Sequence, residues 1–128
     1  MHAQPPCPPP DRGVLPTWAR TGFSDPRPKV PHVLGDDGRI VAILFGGLWA
    51  PPKKNEGNKI LWVAKDPVKP LSDLRITARL AGTRTTVRRT VDGGPGPSGI
   101  DLPRAGCWRM TLKWSGRTDH LALRYRKP

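Results

Sequence analysis

The sequence predicts an all-β protein, an antiparallel sandwich of seven or eight short strands behind a proline-rich N-terminal arm. Three observations predict it. Runs rich in β-branched and aromatic residues recur between Gly, Pro and Asp turn signals. The cleanest of these runs alternate apolar and polar residues with a period of two, and no stretch carries a helical period. The 128 residues include 17 prolines, too many for a helical protein, because proline lacks the backbone N–H and breaks a helix interior.

One domain is expected from this length, large enough to bury about two-thirds of the surface its unfolded chain exposes. Residues 1–31 form a separate compositional segment, with more than half of the prolines and no clean period. That composition favours extended, polyproline-like backbone. Trp18 and Phe23 are the residues that would pin this arm to a folded body spanning 32–128.

The body reads as strands in order. "HVLG" leads into "DDG", a turn in which Asp and Gly tolerate positive φ. "RIVAILF" and "KILWVAK" are apolar on both faces and read as inner strands, separated by the polar loop "APPKKNEGN". In "LRITARL", Leu74, Ile76, Ala78 and Leu80 share one face, with Arg75, Thr77 and Arg79 opposite. "TTVRRTV" places Val87 and Val91 together; "DGGPGPSG" reads as a loop and "IDLP" as a short strand. "CWRMTLKW" turns Trp108, Met110, Leu112 and Trp114 inward and leaves Cys107, Arg109, Thr111 and Lys113 outside. After the turn "SGRTDH", Leu121, Leu123 and Tyr125 of "LALRYRK" face inward. A two-sheet sandwich fits this spacing, with a small barrel as the alternative. The stretch "LPRAGCW", a proline-glycine corner leading into the penultimate strand, resembles the last hairpin of an immunoglobulin-like module, with Trp108 as the aromatic that packs the corner.

The two cysteines, Cys7 and Cys107, can be free thiols, a metal pair or a disulfide. A metal site needs two more ligands, and His2, His32 and His120 are scattered without C-x-x-C or H-x-x-H spacing. A nucleophilic cysteine wants a positioned base, and nothing in the sequence orients His120 toward Cys107. A disulfide has a structural reason: Cys107 faces outward, and Cys7 lies in the one segment that cannot hold itself in place. Such a bridge points to an oxidising compartment. Two unrelated thiols of a cytosolic protein remain the alternative.

The C-terminal half together with Cys7-Pro8 resembles a group of small exported, often lipid-anchored proteins of Gram-positive bacteria, actinobacteria among them. The motifs that carry the resemblance are the early C-P, the late P-x-x-G-C-W at Pro103–Trp108, and the "WAR-x-GF" stretch from Trp18 to Phe23. It implies an immunoglobulin-like sandwich, export and the disulfide, and it brings no activity. Neither a lipobox nor a signal peptide is visible, so export rests on the cysteine pair and the resemblance, and lipid anchoring on the resemblance alone. No run of about 18 apolar residues offers a transmembrane segment.

Enzyme chemistry finds little support. Asp36-Asp37, the only adjacent acidic pair, sits in a turn signal, whereas paired catalytic carboxylates must meet across a cleft. A small hydrolase built on a loop Asp or His is the weakest option. "GGPGPSG" lacks the following Lys-Ser/Thr and the helix that a phosphate-cradling loop requires. No catalytic residue, cofactor or metal is therefore expected.

The charge is the functional lead. Lysine and arginine number 22 against 10 acidic residues, a net +12 that favours polyanions. Arg75, Arg79, Arg109, Lys113, Arg124 and Arg126 all fall on the polar side of alternating strands, a candidate basic binding face if those strands share a sheet. A solvated outer face is the plainer reading. On an exported protein such a face would meet an anionic envelope polymer, a lipid surface or an envelope protein. In the cytosol it would meet nucleic acid. Trp18 and Trp49, in proline-rich flanks, are the candidate exposed aromatics for stacking. The reading as a whole is a non-catalytic binding or structural module of the bacterial cell envelope, with a cytosolic nucleic-acid-binding β-domain as the alternative.

Overall fold

The computed structural model describes residues 7–54, 56–70 and 72–128; positions 1–6 of the arm, including His2, lie outside them. A 3-10 turn at Thr17–Ala19 precedes eight strands: β1 (His32–Leu34), β2 (Ile40–Leu44), β3 (Lys59–Ala64), β4 (Leu74–Leu80), β5 (Thr86–Val91), β6 (Pro97–Gly99), β7 (Gly106–Trp114) and β8 (Arg117–Tyr125). They form two four-stranded antiparallel sheets, ordered β1-β2-β3-β6 and β5-β4-β7-β8. The β3–β6 and β4–β7–β8 neighbours are the B–E and C–F–G pairings of an immunoglobulin-like sandwich, with β2 as its first strand and β5 extending the C–F–G sheet. β1 is an extra edge strand. Beyond β2, Trp49 makes a parallel bridge to Arg126, so this segment also flanks β8.

Between the sheets lies one core. Ile40, Ala42 and Leu44 of β2 and Ile60 and Trp62 of β3 face Leu74, Ile76, Ala78, Trp108, Met110, Leu112, Leu121, Leu123 and Tyr125. The inward positions of β4, β7 and β8 are those the alternation predicts. Three large polar-tipped residues reach partners in this core. Trp62 Nε1–H donates to Ser98 Oγ at 3.0 Å, Trp108 Nε1–H to the Arg104 carbonyl at 2.9 Å, and Tyr125 O–H to the Ile100 carbonyl at 2.7 Å. The Trp108 bond closes the "LPRAGCW" corner. Burial pushes the Tyr125 phenol well above the usual tyrosine range, so it stays a neutral donor. Trp114 Nε1 is the exception, buried without a hydrogen-bond partner among the described residues.

The two-faced apolar strands find a third layer. Val41 and Ile43 of β2 point away from the sandwich core and pack with Leu15 and Ala19 of the arm, joined by Trp18, Phe23, Val30, Leu61 and Val63. The arm folds back on itself through the Val14–Lys29 bridge and Leu15 N–H donating to the Pro28 carbonyl at 3.0 Å, and joins the sheet through the Asp11–His32 bridge and Leu44 N–H donating to the Pro31 carbonyl at 2.8 Å. It is therefore a lid on the outer face of the first sheet.

Local geometry explains two glycines. The β7–β8 turn has Ser115 at φ 46° and Gly116 at φ 74°, the pair of positive values that a two-residue I′ hairpin turn requires. Gly106 opens β7 at φ 139°, and a Cβ there would stand 2.6 Å from Leu80 Cδ1. A glycine is needed before Cys107 for both reasons.

One strand lies elsewhere than the sequence suggests. The pairing segment is Pro97–Gly99, inside the stretch read as a loop, while the "IDLP" residues run past β3 as irregular chain with Ile100 and Leu102 buried. Only Ile100 N–H continues the ladder, donating to the Asn58 carbonyl at 3.0 Å. The Asn58 side chain then takes Asp101 Oδ1 at 2.9 Å, which leads the chain away from the sheet.

Candidate functional site

The antiparallel register of the second sheet decides which outward side chains meet. Across β5, β4, β7 and β8 the rows read Thr90, Arg75, Lys113, Thr118; then Arg88, Thr77, Thr111, His120; then Thr86, Arg79, Arg109, Ala122; and finally Cys107 beside Arg124. Arg75 is thus directly opposite Lys113, and Arg79 directly opposite Arg109, with a row of threonines between the two pairs. All four cations are exposed. Arg88, which the sequence reading passed over, belongs to the same face. Its signal was its even spacing from Thr86 and Thr90 on an alternating strand.

No acid joins these rows. Among the described residues the charge contacts are Arg117 with Asp66 at 3.5 Å and His32 with Asp11 at 3.9 Å, and neither involves a cation of the face. Arg79 Nε–H donates to the Thr83 carbonyl at 3.2 Å, which orients its guanidinium. Thr111 Oγ1 lies 3.3 Å from His120 Nδ1.

Like charges directly opposite on a sheet repel and destabilise it. Two such pairs on one face, separated by a row of threonines, are therefore a local electrostatic cost.

Cys7 and Cys107 are joined in a disulfide, with Cα atoms 5.6 Å apart. Cys107 lies outward on β7, so the bridge does not link sheet to sheet as in antibody domains. It carries the start of the arm onto the basic face. Pro8 borders two depressions there, both of which also reach Ala122. On one side is a cleft of about 630 Å³ with Arg79, Arg109, Thr77, Thr111 and His120, and with Asp36 and Leu34 on its far wall. On the other, Arg124 and Arg126 line a second groove with Arg12, Phe45 and Trp49. The six cations named from the sequence therefore divide. Four form the paired plate, while Arg124 and Arg126 stand beyond the arm, Arg126 past the end of β8.

The aromatics differ from expectation. Trp18 is half-buried against the arm's own cluster, because the 3-10 turn lays it beside Val41 and Ile43. Trp49 is also half-buried, with Lys53 Nζ 3.6 Å from its ring centroid. Among the described residues the exposed large apolar side chains are Leu34, Phe45 and Val68, and none lies in the rows of the plate.

Two acidic positions are structural. Asp36 N–H donates to the His120 carbonyl at 2.7 Å and Asp37 N–H to Asp119 Oδ1 at 2.8 Å, as turn residues would. Asp119, fully buried, also accepts from Arg39 N–H at 2.9 Å and His120 N–H at 2.8 Å. It pins the β1–β2 turn to β8. Its inward phase with Leu121, Leu123 and Tyr125 was the signal for its burial.

No family model matches this chain, and no curated protein matches it. A search of solved structures finds similarity to the crystal structure of a "putative lipoprotein from Bacillus anthracis", with TM-score 0.54 and 22% identity over 77% of this chain and 80% of that one. At that identity the likeness speaks to the fold, a sandwich of the same class.

Proposed function

We propose that this protein is a non-catalytic, extracytoplasmic module of the bacterial cell envelope that contacts an anionic envelope component through the outer face of the β5-β4-β7-β8 sheet. The observation that carries the reading is the pairing of Arg75 with Lys113 and Arg79 with Arg109 on one face without an acidic partner. Paired cations gain most from a ligand that brings several negative charges at once. The Cys7–Cys107 bridge supports an oxidising compartment, since such bonds do not persist in the reducing cytosol. It disfavours the cytosolic nucleic-acid reading for the same reason. The lipoprotein described for the similar structure accords with an envelope location.

The test is co-sedimentation with purified Gram-positive cell walls, before and after their anionic polymers are stripped. Retention by intact walls, lost on stripping and at high salt, is the expected result. Equal retention by stripped walls would remove the basic face from the account. The variant Arg75→Gln/Arg79→Gln/Arg109→Gln/Lys113→Gln should behave on intact walls as the wild type does on stripped ones.

A further inference from the structure

The plate has a geometry more specific than its charge. Four residues separate Arg75 from Arg79 along β4, and the same four separate Lys113 from Arg109 along β7. At about 3.3 Å per strand residue the two cation pairs stand about 13 Å apart, with the Thr77–Thr111 row midway between them. Each row follows the last by about 6.6 Å. Rows of donors at a fixed interval suit a ligand whose charges also recur at a fixed interval.

What the rows lack narrows the chemistry. They contain Arg, Lys, Thr, Ala122 and the imidazole of His120 at the edge strand but no Phe, Tyr or Trp ring, and the five tryptophans all lie elsewhere: Trp62, Trp108 and Trp114 in the core, Trp18 and Trp49 half-buried. Sugar rings and bases are normally gripped by stacking on such rings. No exposed large apolar side chain stands in the rows to enter a bilayer. Between β4 and β7 the three rows offer only charge and hydroxyl groups, and guanidinium forks match the paired oxygens of a phosphate.

We propose that the ligand is a linear, acyclic phosphodiester chain of the polyol phosphate kind, laid along β4 and β7. One phosphate sits on Arg79–Arg109, one on Arg75–Lys113, and one over Thr77–Thr111 between them. The arm, anchored at Cys107, walls the Arg79–Arg109 end, and Asp36 on the far side of that cleft keeps the anion on the arginine side. This inference rests on the reading of the face as a binding surface and gives that surface its ligand class and direction.

The disulfide-intact chain is titrated calorimetrically with glycerol phosphate oligomers carrying two, four and six phosphates. Two phosphates cannot span both cation pairs, whereas four can. Affinity should therefore rise at least tenfold between two and four, and by much less between four and six. Arg75→Gln/Lys113→Gln should abolish the step and leave two-phosphate binding in place. With two phosphates neutralised by the two cation pairs the log–log salt slope should approach about −1.4 and fall by roughly half in that variant. Substitution at these exposed positions leaves the core untouched, and thermal melts verify folding.

A smooth rise with charge number, or an unchanged step in Arg75→Gln/Lys113→Gln, overturns the two-clamp arrangement. Equal or tighter binding of a six-nucleotide single strand overturns the choice of an acyclic backbone. Binding to phosphatidylglycerol vesicles but to no oligomer overturns the linear chain while the basic face stands. Binding to none of the oligomers, the strand or the vesicles defeats both the chain and the face.

Discussion

The outer face of the β1-β2-β3-β6 sheet is apolar and covered over β2, whereas the outer face of the β5-β4-β7-β8 sheet is cationic and largely bare. On the first, Val41 and Ile43 are fully buried beneath Leu15 and Ala19 of the arm. On the second, Arg75, Arg79, Arg109 and Lys113 are exposed, and among the described residues none of them forms an ion pair, although Asp36 and Asp73 line the depressions at the two ends. The inner faces of both sheets follow the same rule, apolar against apolar. The difference shows that one face answers to folding and the other does not. Covering the first recovers free energy from every apolar side chain it hides. Opposing cations on the second repel one another.

The single arm touches both faces, lying over the first sheet and tied by Cys7 to the second. The largest expected effect comes from cutting that tie. Cys7→Ser/Cys107→Ser opens a loop closed over 100 residues of separation, which the loop-entropy model values at about 4–5 kcal/mol. Denaturant melts of the wild type and the double variant measure it directly. A loss under 1 kcal/mol would mean that the arm's apolar contacts hold it unaided.

Leu15→Ala probes those contacts alone. Leu15 is fully buried between the arm and Val41 and Ile43, so the substitution should cost about 2–5 kcal/mol. It should leave polyanion binding unchanged if the disulfide alone sets the wall of the cleft. A loss of binding alongside the loss of stability would show that the two faces are coupled through the arm.

The smallest effect should have the opposite sign. Arg109→Thr removes one side of a like-charge pair and places a threonine beside Arg79, which should stabilise the protein by roughly 0.2–1 kcal/mol at low salt. The gain should shrink as salt screens the repulsion. Added polyanion should raise the melting temperature of the wild type more than that of this variant. A destabilised Arg109→Thr would mean that the plate contributes to folding, and the contrast between the faces would weaken.

Much of the sandwich was legible because strand alternation is a local property. The inward sets of β4, β7 and β8 and the outward placement of Cys107 follow from a period of two, whatever the strands pair with. "RIVAILF" was legible as buried on both faces, but not as lying beneath the arm, since periodicity does not say what covers a face. The strand at Pro97–Gly99 was obscured by its glycines and prolines. Its partner β3 recruits it as an edge, where such residues are tolerated. Trp18 and Trp49 lie in proline-rich flanks that suggest exposure, but Trp18 packs against the cluster that includes Val41 and Ile43, and the Trp49 ring lies against Gly47 and under Lys53.

The sequence alone determined the strand-rich class, the inward and outward sets of the alternating strands and the excess of positive charge. All of these depend on neighbours along the chain. The tertiary structure decided the register that sets Arg75 against Lys113 and Arg79 against Arg109, the bridging of Cys7 to Cys107, and the division of Arg124 and Arg126 from the plate by the arm at Pro8. Those are relations between residues far apart in the chain. A shift of one residue in the pairing would leave the composition intact and turn each affected side chain to the other face.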